Sequence, residues 1–446
     1  MKKFLLPLVV GTALWGPSAW AAPLTVDEVV ARALAHSDAV AAARGEEEAA
    51  REAVREARAR RLPRLDLGYR YTRFADTPVV KSSFGDLPTS HDGLHRWQLT
   101  VSQPLFAGFA LAENQRGAAA ARRGREAQTA RARQAVAARA RTAYHRVLLA
   151  GALVRVADDA VASLEAHRET AKRFHEQGLQ PRNEVLRAEV ALAEAVQERE
   201  RARADLALAR TRLEFLADLP EGFELAPLAP DRAAAADPGA FEVWLGRAYR
   251  YRPELRAAEA ELDAARARER AARGEYWPTV EAVAGYERVG DTLDASRNGF
   301  ANDHNAWVAL EVRANLFSWG ASASRVGQAR GARTAAEARQ RGVRKEVALE
   351  VKRAWLDVGV ARANLATARA ALEQARENLR MTTLQYEQQL ATSADVLDAR
   401  AFLTRAETNH EAAFYGLLDA RTALDLAAGT PVGPPAGDRD AWERDR

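Results

Sequence analysis

Four short stretches of the chain alternate between apolar and polar residues with period two. In the first, Leu65, Leu67, Tyr69 and Tyr71 share one face, and Asp66, Gly68, Arg70 and Thr72 the other. The next sets Trp97, Leu99 and Val101 against Gln98, Thr100 and Ser102. Val280, Ala282, Ala284 and Tyr286, then Val308, Leu310 and Val312, repeat the pattern late in the chain. Strand side chains point alternately to opposite faces, so each stretch predicts a strand with one apolar and one polar face. Elsewhere the period changes to a 4-3 spacing. Val347, Val351, Ala354, Val358, Ala361, Leu365, Ala368, Leu372, Ala375 and Leu379 form one such seam. Val136, Ala140, Ala143, Val147, Ala150, Val154, Ala157, Val161 and Leu164 form another. This is a coiled-coil heptad, and its many alanines suit several closely packed helices better than a two-stranded coil. No proline interrupts residues 110–177 or 321–388. At 1.5 Å per residue each predicts a helix of about 100 Å, far longer than a compact domain is wide.

The two halves of this pattern superpose. Leu105-Phe106-Ala107-Gly108 recurs as Leu316-Phe317-Ser318-Trp319, an offset of 211. The same offset carries Ala143-Tyr144 to Ala354-Trp355, Glu184-Val185-Leu186 to Asp395-Val396-Leu397, and Pro220 to Pro431. Upstream the offset is 215, matching Leu62-Pro63 with Trp277-Pro278 and Asp38 with Pro253, so the first half carries four extra residues in between. One register kept through strands, turns and helices marks an internal duplication. Each half reads as helix, strand, loop, strand, very long helix, turn, helix. Thr25-Val26-Asp27-Glu28 is a capping-box start, and Asp237-Pro238 predicts the matching start in the second half. The expected boundaries are 22–219 for the first repeat, 220–239 for a linker, 240–428 for the second repeat and 429–446 for a disordered, proline-rich tail. Met1-Lys2-Lys3, an apolar run and Ala19-Trp20-Ala21 read as a signal peptide over 1–21.

Composition narrows the function. Lys+Arg is 65 against Asp+Glu 61, with the signs mixed along the helices, which speaks against a nucleic-acid partner. There is no cysteine, so disulfides, thiol catalysis and a lipidated N-terminal cysteine are excluded. The chain has no run of about 18 apolar residues outside the leader, so membrane entry must be by strands. Four strands cannot close a pore, since the smallest barrels have about eight, so a barrel here requires several copies. No Walker A, G-x-G-x-x-G, H-E-x-x-H or G-x-S-x-G motif is present, and no catalytic residue, cofactor or metal is expected. His91 and His95 read as solvated loop residues, and Arg58-Ala59-Arg60-Arg61 as a solvated helix end.

The duplicated strand–strand–long helix–short helix order resembles the TolC family of outer membrane efflux proteins. The most specific segments are Phe174-His175-Glu176-Gln177-Gly178-Leu179, leading to Val185-Leu186, and Gln385-Tyr386-Glu387-Gln388-Gln389-Leu390, leading to Asp395-Val396-Leu397-Asp398. Gln389 stands where the family usually has glycine, and Ala391 where TolC itself has arginine. The resemblance implies a mainly α fold with a β-barrel: a homotrimer with a 12-stranded transmembrane barrel and a long periplasmic helical tunnel. It implies a passive export duct in the outer membrane of a Gram-negative-type cell. Its partners would be a periplasmic adaptor (membrane fusion protein) and an inner-membrane pump of RND or ABC type. It assigns Asp395, Asp398, Glu184 and Tyr386 to the periplasmic gate, and Gly178, Leu179, Gln389 and Leu390 to adaptor-contacting tips. Leu179 and Leu390 are expected to be buried beside their turns. Leu65, Leu67, Tyr69, Trp97, Leu99, Val101, Val280, Tyr286, Val308, Leu310 and Val312 would face outer membrane lipid. The competing reading is a non-channel periplasmic coiled-coil scaffold, for which four apolar-faced strands have no use.

Overall fold

The computed structural model describes residues 23–83, 85–228 and 237–430. The expected leader, residues 229–236 of the linker and residues 431–446 of the tail lie outside them. Thr25 caps α1 (Val26–His36), its hydroxyl accepting from Glu28 N while Glu28 Oε2 takes the Thr25 N–H at 2.8 Å. The single first helix expected from the pattern is in fact two. Ser37 leaves helical geometry and caps α2 (Asp38–Ala59).

Two strand pairs follow: β1 (Arg64–Arg73) and β4 (Gly93–Ala107), with a small hairpin, β2 (Val79–Ser82) and β3 (Gly85–Pro88), between them. That hairpin lies in the segment where the first repeat has its extra residues. Next come α3 (Ala110–Glu176) and α4 (Arg182–Ala217). The second repeat has α5 (Phe241–Tyr251), α6 (Pro253–Arg273), β5 (Thr279–Gly290), β6 (His304–Arg313), α7 (Ala321–Glu387) and α8 (Ser393–Ala427). Its first helix also breaks, at Arg252, where Pro253 occupies the first helical position. Asp237-Pro238 does not start a helix, because α5 begins only at Phe241. Asp237 instead turns the chain by accepting from Gly239 N and pairs with Arg362 at 3.1 Å. Gly429 and Thr430 close α8 by donating to Leu426 O and Asp425 O, so the ordered chain extends past the boundary expected at 428.

One antiparallel sheet joins the repeats in the order β1-β4-β5-β6, leaving β1 and β6 as its edges. Below it, α3 packs against α2, α4, α6 and α8, and α7 against α5, α6 and α8. The heptad positions fill these seams: Val136, Ala140, Val147 and Ala150 enter one core, and Val347, Val351, Val358 and Leu365 another. Equivalent aromatics tie each long helix to the inter-repeat backbone. Tyr144 Oη donates to Ala226 O at 2.5 Å and lies 3.0 Å from Leu24 O, whereas Trp355 Nε1 donates to Gly239 O at 3.0 Å. Burial pushes the Tyr144 hydroxyl up to about 12, so it remains a donor.

Strands turn into helices through two successive left-handed residues in each repeat: Gly108 and Phe109, then Trp319 and Gly320. At Gly108 (φ 57°) an added Cβ would lie 2.8 Å from the Cα and carbonyl carbon of Gly274, where the chain leaves α6. Gly108→Val is therefore expected to destabilise the chain by about 2 kcal/mol or more, through strain and a backbone clash. Thermal unfolding of the purified protein would show it. A midpoint equal to that of the parent would remove this contact from the account.

Candidate functional site

Two regions contain the residues singled out by sequence: the helix tips and the sheet. At the first tip Gly178 (φ 73°) ends α3, with Gly178 N donating to His175 O and Leu179 N to Phe174 O. At the second, Gln389 (φ 62°) ends α7, with Gln389 N donating to Tyr386 O and Leu390 N to Gln385 O. Both are Schellman turns. Gln389 adopts the left-handed conformation despite its side chain, so the departure from glycine leaves the turn's shape intact. The expectation of buried leucines fails: Leu179 is 50% exposed and Leu390 75%. The usual apolar partner for such a leucine sits five residues back. In the second tip that residue is the polar Gln385, and in the first it is Phe174, whose ring instead packs 5.6 Å from Tyr386.

The gate candidates separate into an outer and an inner pair. Asp395 and Asp398 are both exposed, on the first turns of α8. Asp395 closes a capping box, its Oδ2 accepting from Thr392 Oγ1 and Thr392 N at 2.7 Å each. The Thr392 hydroxyl, then its backbone N–H, hold the Asp395 carboxyl below its ordinary range, so it stays ionised. Tyr386 and Glu184 lie inside. Tyr386 is 1% exposed and its hydroxyl donates to Gln180 Oε1 of the other tip at 2.9 Å. Burial and the Glu184 charge raise its pKa. Glu184 is 13% exposed in its side chain, with Arg187 at 3.4 Å.

Sequence reasoning missed His167. Buried on α3, its Nε2 lies 2.7 Å from the Oγ of Ser393, the fully buried first residue of α8, and its ring is 4.9 Å from Tyr386. Its neighbours in the chain are unremarkable, so only the cross-repeat packing reveals it. Burial holds its pKa below the usual value, so it is neutral at pH 7. A histidine depressed in the folded state contributes stability above its unfolded pKa of about 6.5 and loses it as pH falls through the lower folded value. The protection of residues 386–397 against hydrogen exchange, taken relative to the intrinsic rate at each pH, should therefore fall on going from about pH 7.5 to about pH 5, and His167→Phe should flatten that dependence. The same loss of protection in His167→Phe would assign it to another group.

In the sheet, cross-strand register collects the apolar residues on one face. Leu65, Val101, Ala284 and Val308 form one row, and Leu67, Leu99, Tyr286 and Ala306 the next. Tyr69 faces Trp97, and Val280 faces Val312. Trp97 and Val280 are half-buried, while the other nine lipid-facing candidates are exposed. The opposite face carries Asp66, Gln98, Thr100 and Glu287, with Glu287 paired to Arg96 at 2.7 Å. His91 and His95 do not meet: His91 packs on Phe300, and His95 Nδ1 lies 2.8 Å from Tyr69 Oη. Arg60 pairs with Glu56 and Arg61 donates to Gln115, as expected of a helix end. Among the described residues no helix is long and apolar enough to cross a membrane, and no acidic, histidine or cysteine cluster could hold a metal ion.

A family model described as outer membrane efflux protein matches residues 29–217 and 244–430. No curated protein matches the sequence. Among solved structures, CusC, described with its transmembrane channel formation, superposes at TM-score 0.80 and 16% identity, covering 97% of this chain and 99% of that one. The outer membrane protein VceC from Vibrio cholerae gives 0.76 and 19%, covering 91% and 96%. The open outer membrane channel MtrE of Neisseria gonorrhoeae gives 0.76 and 19%, covering 92% and 89%.

Proposed function

Because the chain belongs to the outer membrane efflux protein family, we propose that three copies join edge to edge into one twelve-stranded barrel and continue as a helical tunnel that serves an adaptor and a pump. Members of the family are passive outer membrane channels and not enzymes. They form trimers that work with adaptors and pumps, which sets the scaffold reading aside. The observation that carries the proposal is the sheet. Its apolar face is continuous across all four strands, while β1 and β6, among the described residues, each pair on one side only and leave the other edge open. In lipid an open edge leaves backbone groups unsatisfied, and closure by further copies removes it. The helices, about 100 Å long, then extend from the membrane into the periplasm.

At the far end of the tunnel, Asp395 and Asp398 form the gate's charged mouth. Their separation of three residues puts both carboxylates on one helical face, and three copies bring six together. Tyr386 and Gln180 hold the two tips to each other behind that mouth, with the Glu184 carboxylate beside them. Crowded carboxylates favour cations and hold multivalent ones. In planar bilayers the parent should be narrow, cation-selective and blocked by trivalent cations from the periplasmic side. Asp395→Ala with Asp398→Ala should lose both selectivity and block. A double variant that keeps both would move the mouth elsewhere. Leu179 and Leu390, exposed at the tips, are the contacts offered to the adaptor, with RND and ABC pumps both compatible.

A further inference from the structure

The polar face of the sheet carries a single aromatic residue among the described strand positions. Tyr69, Tyr71, Trp97 and Tyr286 all lie on the apolar face, whereas Trp307 pairs with Gly285 and shares the face of Thr100 and Asp66. Its indole lies across Gly285. A Cβ built there would be 2.6 Å from Trp307 Cζ2 and 2.7 Å from Nε1, so only glycine leaves room for the ring. Gly285 has no positive φ to require it, and it is buried beneath the indole. Trp307 itself is half-exposed, so part of its ring surface remains open.

The duplication makes this placement specific to one repeat. The offsets of 215 and 211 carry Gly285 to Arg70 and Trp307 to Arg96, which face each other across β1 and β4 just as Gly285 and Trp307 do across β5 and β6. One repeat thus sets two guanidinium groups where the other lays a flat indole. In a closed trimer the repeats alternate around the axis, giving three indoles at one height of the bore, separated by arginines. An aromatic face on a water-lined wall is unusual. The neighbouring positions on that face are Asn305, Ala309, Glu287 and Val283.

We propose that Trp307 is a stacking platform on the channel wall that binds flat aromatic solutes in transit. The inference rests on the trimeric barrel with its polar face inward. Stacking on one aromatic side chain favours a base-sized ring by roughly 5- to 150-fold, enough for brief, weak retention without plugging the bore. The indole needs no rearrangement to accept such a ring, because Gly285 beneath it fixes its tilt.

Caffeine, a flat and water-soluble ring system, is the probe, with 1,3-dimethylurea as its non-aromatic counterpart. Both would be titrated against the trimer in lipid nanodiscs by calorimetry, with empty nanodiscs as background. The expected result is weak, saturable binding of caffeine alone with a dissociation constant of about 10 mM, lost in Trp307→Ala and partly kept in Trp307→Phe. Gly285→Ala, which pushes the indole from its seat, should weaken binding while the trimer survives. No saturable binding by the parent, or equal binding by Trp307→Ala, overturns the proposal and leaves the indole as a cover for Gly285. The wall assignment is checked separately. The chain has no native cysteine, so Ala309→Cys, on the face of Trp307, should react with a membrane-impermeant maleimide, and Leu310→Cys should not. The opposite labelling would overturn the inward orientation itself.

Discussion

Arginine in place of Leu67 should cost about 2–4 kcal/mol of barrel stability, the penalty for a basic side chain facing lipid near the midplane. Leu67 sits in a row with Leu99, Tyr286 and Ala306, so the charge would have no polar neighbour on its face. The adjacent position across the sheet behaves oppositely. Gln98 shares its face with Gly68 and Glu287, and Gln98→Arg should be tolerated within about 0.5 kcal/mol. Resistance of the trimer to heat in detergent, together with outer membrane yield, would separate the two. Equal tolerance at both positions would show that neither face meets lipid.

A comparably large effect is expected at the tips, but on transport rather than stability. Leu179→Asp and Leu390→Asp each place a charge at a leucine that the single chain leaves exposed, so folding and trimer yield should be unchanged. A few buried apolar contacts usually dominate such an interface, and desolvating a carboxylate there costs several kcal/mol. Efflux by cells that depend on the channel should fall at least about tenfold. Normal efflux from both variants, or loss of trimer in either, would falsify the docking role. The acid-sensitive contact at His167 predicts a different phenotype, since it alters tip exchange without touching the exposed leucines.

The sequence exposes most of the architecture because each element repeats. A strand of ten residues is weak evidence alone, but the same alternation at a fixed offset in both halves is hard to obtain by chance. The long helices end at Glu176 and Glu387, within one residue of the expected limits, because left-handed turns at Gly178 and Gln389 stop both at matched positions. What escaped is local or tertiary. Ser37 and Arg252 break helices through caps of one or two residues, too short to disturb an apolar period. The β2–β3 hairpin carries turn chemistry over only ten residues. At the tips, the pairings of His167 with Ser393 and Tyr386 with Gln180 span more than two hundred positions, and no local pattern encodes them. The exposure of the leucines is hidden for a related reason: whether a Schellman leucine is covered depends on a residue five places back, where Phe174 turns towards the other repeat.

The open edges of the sheet also set the order of events in biogenesis. A lone chain has two open sheet edges and an exposed apolar face, so it is unstable in both water and lipid. Insertion and assembly must therefore be coupled, and the step that commits the chain involves three copies meeting. Its rate should rise steeply with the amount of chain in transit, close to the third power when copies are scarce. A modest fall in synthesis would then delete channels from the membrane far more than proportionally, while the unassembled chains wait on chaperones or are degraded.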